Sequence, residues 1–95
     1  MVSLDEVLEV LEMENPDAQL LEPRGQYDAF IVGIGHRFNE GPLAMYSIER
    51  ILEALEADGM TGEEAVEWYD YNIVGGSVGE GTPIFVQEML PMEGE

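Results

Sequence analysis

Tyr27-Asp28-Ala29-Phe30-Ile31-Val32-Gly33-Ile34-Gly35-His36-Arg37-Phe38-Asn39-Glu40-Gly41-Pro42-Leu43-Ala44-Met45-Tyr46-Ser47-Ile48-Glu49-Arg50-Ile51-Leu52-Glu53-Ala54-Leu55 contains the two changes of rhythm that decide the fold. Aromatic and β-branched residues from Tyr27 to Ile34 predict a strand. A turn with Asn39, Glu40, Gly41 and Pro42 reverses the chain, and Leu43 to Tyr46 resumes the strand character. Gly33 and Gly35 inside the first strand predict a bulge or a close backbone approach. At Ser47 the period lengthens: Ile48, Ile51, Leu52 and Leu55 share one helical face, Glu49, Glu53 and Glu56 lie off it, and Asp58-Gly59 stops the run.

Working outward, Thr61 with Glu64 forms a capping box. Ala65, Trp68, Tyr69, Asn72 and Ile73 then recur at helical spacing until Gly75-Gly76. A loop from Ser77 to Gly81 leads to a last strand, Thr82 to Met89. Upstream, Ser3 and Glu6 form another capping box. Leu4, Val7, Leu8 and Leu11 line one face of a helix to about Met13, with Asp5, Glu6, Glu9 and Glu12 turned away. Asn15-Pro16 predicts a second short helical piece over 16–22, ended by Pro23, Arg24 and Gly25. The grouping of strands and helices predicts an α+β fold: a small, mainly antiparallel three-stranded sheet packed against helices, with an N-terminal helical extension. Residues 1–26 read as an acidic helical extension, 27–90 as the α+β core domain and 91–95 as a flexible tail.

Charge dominates the composition. The 95 residues hold 21 acids against three arginines and no lysine, a formal charge of -18. Phosphate backbones are bound by clustered cations, so direct nucleic-acid binding is excluded on sign, and anionic membrane surfaces are disfavoured on the same ground. Nearly half the chain is apolar, enough for a core. The apolar runs fall far short of the roughly 20 residues that span a bilayer, and acids stand where a signal peptide carries bases, which predicts a cytoplasmic location. Without cysteine there is no disulfide, thiolate metal site or cysteine nucleophile.

No constellation carries catalysis, and the expectation is a non-enzyme without cofactor or metal. His36 is the only histidine and no motif ties a nucleophile to it. The stretch Gly75 to Thr82 is glycine-rich, but it offers Glu80 where a phosphate loop needs lysine, and it leads into a strand. Asp58 to Glu63 lacks the alternating oxygen ligands of a calcium loop. Paired acids such as Glu63 and Glu64 read as solvated helix surface. The aromatic residues are harder to place, because Trp68, Tyr69 and Tyr71 point in different directions at 100° per residue, which predicts aromatic surface exposed or covered by a partner.

The run Asp58-Gly59-Met60-Thr61-Gly62-Glu63-Glu64-Ala65-Val66-Glu67-Trp68-Tyr69-Asp70-Tyr71-Asn72-Ile73-Val74-Gly75-Gly76, followed by Val78-Gly79-Glu80-Gly81-Thr82-Pro83-Ile84-Phe85, closely resembles a family of small tailed-phage and prophage proteins. Those proteins also begin with a strand, an Arg-Phe hairpin and a second strand ending in tyrosine, matched here by Ile31 to Gly35, Arg37-Phe38 and Pro42 to Tyr46. The resemblance covers about residues 27–86 and implies an accessory role inside an infected cell; it brings no activity with it. Family members are less uniformly acidic, so the charge belongs to this chain.

Three explanations fit that charge. Carboxylates can imitate a phosphate backbone and occupy the basic groove of a host nucleic-acid-binding defence protein, making the chain a DNA mimic. The surface for this would be Asp5, Glu6, Glu9 and Glu12 with Glu49, Glu53, Glu56, Glu63 and Glu67, joined by Tyr69, Tyr71 and Asn72. The acidity also fits a salt-rich cytoplasm, where screening relieves self-repulsion. In the third reading the acids only keep the protein dissolved, while the tyrosines or the glycine loop grip a small nucleotide. The final strand and surplus aromatics make a homodimer a further expectation.

Overall fold

The computed structural model describes residues 3–38, 40–76 and 79–88. Helix α1 (Leu4–Glu14) is followed by a short helix α2 (Arg24–Tyr27), a 3-10 turn (Asp28–Phe30), strands β1 (Ile31–His36) and β2 (Pro42–Ser47), and helix α3 (Ile48–Ala57). Helix α4 (Gly62–Trp68) runs directly into a π-helical segment, Tyr69–Val74, and strand β3 (Ile84–Val86) closes the order. Four helices and one three-stranded sheet pack together as an α+β fold.

Strand β2 lies at the centre. It pairs antiparallel with β1 along both strands' length and parallel with the shorter β3, so the sheet is mixed but mostly antiparallel. The parallel pairing follows from the connection: two helices intervene between β2 and β3, where a tight hairpin would have forced an antiparallel partner. Leu43, Ala44, Tyr46 and Ser47 are all buried, and Ala44 and Tyr46 join Ile51, Leu55, Ala65, Tyr69 and Ile73 in one core. The helical faces read from sequence at Ile51 and Leu55, and at Ala65 and Ile73, are thus the faces that dock.

Both strand glycines have the predicted duties. The register slips between Ile31 and Gly33, which marks the bulge. At Gly35 a Cβ would stand 2.6 Å from Cδ1 of Ile84 and 3.0 Å from Cγ of Met45, so the missing side chain makes room for two neighbouring strands' residues. Three of the four predicted N-caps form: Ser3 accepts from the Glu6 amide, Ser47 from the Arg50 amide, and Thr61 and Glu64 bond reciprocally, while Asn15 caps no helix.

The structure corrects the sequence reading in three places. Residues 16–22 are a turn and an irregular strap, because their backbone groups bond outward. The Gln19 amide donates to the Gly81 carbonyl at 2.8 Å and the Leu21 amide to the Tyr46 hydroxyl at 2.8 Å. Pro23 to Gly25 begin a helix where a stop was expected. Pro23 caps α2, and Tyr27 to Phe30 stay helical, with the rings of Tyr27 and Phe30 edge to face at 5.9 Å. Strand β3 is shorter than Thr82 to Met89, since Thr82 gives its carbonyl to Arg37 and Glu88 leaves the ladder for α3. Met89 and the expected tail at 91–95 lie outside the described residues.

The N-terminal segment shares the core. Leu11 is 3% exposed within the main apolar cluster, and the Asn15 side chain donates to the Pro42 carbonyl at 3.0 Å.

Candidate interaction surface

The three cations are committed inside the fold. Arg24 pairs with Asp28 at 2.7 Å across one helical turn, Arg37 with Glu40 at 2.9 Å, and Arg50 with Glu88 at 3.1 Å. The Arg37 pair is the best anchored. Its guanidinium also donates to the Thr82 carbonyl at 2.7 Å, while Glu40 accepts from the Gly81 amide at 3.0 Å. Those bonds, that of Arg37 first, hold the Glu40 carboxyl below its ordinary range. Glu88 is lowered in the same way, mainly by the buried Ser47 hydroxyl, which donates to it at 2.5 Å, and then by Arg50.

The described end of the glycine loop, Gly79 to Gly81, is closed by this arrangement. Gly81, at φ 82°, lies so close to the Asp17 carbonyl that any Cβ would collide with it. Its amide is spent on Glu40, its carbonyl accepts from Gln19, and the Glu80 carbonyl accepts from the Gln19 side chain. A phosphate approaching here would meet a carboxylate already holding the amide it needs.

The predicted surface residues divide by use. Asp5, Glu6 and Glu63 lie in first helical turns, where the positive end of the helix dipole favours them, and all three are exposed. Glu49 also sits in a first turn, is only half-exposed, and accepts from the Glu88 amide at 2.8 Å. Glu9, Glu12, Glu53, Glu56 and Glu67 are exposed and have no such duty. Glu12 and Glu56 occupy last turns, which hold no basic residue and where a negative charge costs about 0.3–1 kcal/mol. Asp5 with Glu9, Glu49 with Glu53 and Glu63 with Glu67 are like-charge neighbours one turn apart, each costing about 0.2–0.5 kcal/mol.

The aromatic residues divide too. Tyr69 is 7% exposed, stacks edge to face on Phe85 at 5.7 Å, and has its hydroxyl pKa pushed up to about 12, by desolvation first and then by Asp70 and Glu49. It belongs to the core and is out of a partner's reach. Tyr71 is 83% exposed, and Asn72 is exposed with its amide donating to the Trp68 carbonyl.

Sequence reading missed what lies beside Tyr71. Met60, Glu64, Glu67, Trp68, Tyr71 and Asn72 line an open groove of about 450 Å³. Glu64, Glu67, Trp68 and Tyr71 form a three- and four-residue stripe, and Met60 precedes the N-cap, a position from which an apolar side chain folds back along the first turn. That capping position was the available signal. The π-helical turn, closed by the Gly75 amide on the Asp70 carbonyl at 2.9 Å, had none. Phe38, at the hairpin tip, is 91% exposed.

Comparison with protein families, with curated proteins and with solved structures finds no match for this chain. Among the described residues no helix is long and apolar enough to cross a membrane, and no three acidic or histidine side chains converge as a metal site would.

Proposed function

We propose that this is an accessory protein of phage type that acts by protein contact, presenting carboxylates to the basic groove of a host nucleic-acid-binding defence protein. One observation carries the reading: every arginine is paired within the fold, while acids that work against helix stability face outward on α1, α3 and α4. Charge placed against the fold's own interest is what a complementary cationic partner would repay. Steering by such a surface raises association rates and falls steeply with salt. A homodimer fits less well, since it sets -18 against -18 with all three arginines already paired. The glycine loop, with the Gly81 amide occupied, also weakens the nucleotide reading.

The test is displacement. Labelled duplex DNA is bound to basic host DNA-binding proteins and followed by anisotropy while this protein is added. Release of DNA that weakens as salt rises is the expected result. DNA retained on every such protein at low salt would remove the reading. The habitat explanation predicts instead that the chain folds only in molar salt, and a cooperative melt in dilute buffer would set it aside.

A further inference from the structure

We infer that the groove between Met60 and the α4 stripe is an arginine-binding site, taking the guanidinium of a partner protein between Trp68 and Tyr71 with Glu64 and Glu67 at its rim. The inference rests on the basic-partner reading above and names where that partner's key side chain goes. Three observations point to this occupant.

The first is composition. The groove joins the indole of Trp68, the phenol of Tyr71 and the thioether of Met60 to two carboxylates, with the Asn72 side chain beside them. Aromatic faces attract cations through the ring quadrupole, and carboxylates add charge and hydrogen-bond acceptors. Anionic ligands are repelled by the same rim. The second is exposure: Tyr71 is 83% exposed at the groove, although the neighbouring Tyr69 and Ile73 are buried. Apolar surface left open beside acids marks a contact that another molecule completes. The third is the absence of an internal candidate. Arg24, Arg37 and Arg50 all hold ion pairs elsewhere, so a second copy of this chain would give up one of its own pairs to fill the groove.

Arginine fits better than lysine. Its planar, weakly hydrated guanidinium can stack on a ring and still direct its N–H groups sideways to carboxylates, whereas an ammonium keeps its water more tightly. Glu64 already accepts from the Thr61 amide through Oε1 at 2.9 Å, which holds its carboxylate in position and leaves Oε2 for the incoming donor.

Trp68 is the only tryptophan, so its fluorescence reports on the groove. The full-length protein is titrated with nona-arginine and with nona-lysine, following both Trp68 emission and a label on the peptide. Tighter binding of nona-arginine, with a change in Trp68 emission, is expected. Tyr71→Ala should weaken it roughly three- to tenfold, and Glu67→Gln should weaken it more than Glu80→Gln, which removes the same charge from the loop. Circular dichroism confirms that the exposed-site variants stay folded. Binding of nona-arginine with unchanged Trp68 emission and wild-type affinity in Tyr71→Ala would overturn the groove assignment while leaving the acidic-surface reading standing. Equal binding and equal emission change with nona-lysine would overturn the choice of arginine. Failure of both peptides to bind would remove the basic-partner reading and this site with it.

Discussion

The end of the molecule where Arg37 and Glu40 meet the Gly79 to Gly81 loop and the outer face of α3 and α4 use the same amino acids for opposite purposes. At the first, a guanidinium and a carboxylate satisfy each other, a carbonyl and an amide, and so tie β1, the glycine loop and the start of β3 together. At the second, Glu53, Glu56, Glu63 and Glu67 face water with like charges as neighbours. Charge engaged in the fold is local, geometric and replaceable only at a loss. Apart from Glu63, which its helix's first turn favours, the charge on the helical face makes no contact that holds the fold and in places opposes it, which is why we assign it to a partner.

Substitutions can break or sharpen that contrast. The largest effect should come from Gly81→Ala in the tied region. A Cβ there strains a left-handed backbone and collides with the Asp17 carbonyl, for an expected loss of about 2–4 kcal/mol in urea unfolding. Tyr46→Phe should follow at about 1–2 kcal/mol, because the half-buried Leu21 amide loses the hydroxyl oxygen that accepts its hydrogen bond. A loss under a few tenths would mean that the strap over β2 is held otherwise.

Next comes acid. Glu40 and Glu88 have folded pKa values below their unfolded ones. Their stabilisation is therefore complete above the ordinary carboxylate range and is lost as pH falls through the lowered values. Glu40→Gln should lower the melting temperature at neutral pH and flatten its decline toward acid; an unchanged acid limb would show that the pair does not hold the loop. The smallest effects belong to the outer face and have the opposite sign. Glu12→Lys and Glu56→Lys should each stabilise by about 0.3–1 kcal/mol in dilute buffer, with the gain shrinking as salt rises. If either destabilises, its carboxylate serves the fold and the division between the two regions fails there.

Much of the fold was legible because it rests on local chemistry. Ser47 and Thr61 cap the helices they precede, and the apolar spacing picked out Ile51, Leu55, Ala65 and Ile73 as inward positions. The site was legible only in its charge. Tyr69 and Tyr71 are two residues apart and equally suited to a surface, yet one packs on Phe85 and the other faces solvent. The difference is one of helical face: Tyr69 stands one turn after the buried Ala65 and meets β3, while Tyr71 lies about 200° further round.

By itself the sequence determined the sign and excess of charge, the starts of α1, α3 and α4, the hairpin, and the bulge and close approach at Gly33 and Gly35, since each follows from residue type and near neighbours. Only the tertiary structure decided that β3 joins β2 in parallel, that residues 16–22 form a strap, that all three arginines are taken, and that Met60, Trp68 and Tyr71 share a groove with two glutamates. Those outcomes depend on which distant groups meet, as when the Leu21 amide finds Tyr46 and Gly81 finds Glu40. No local preference in the chain encodes such a meeting.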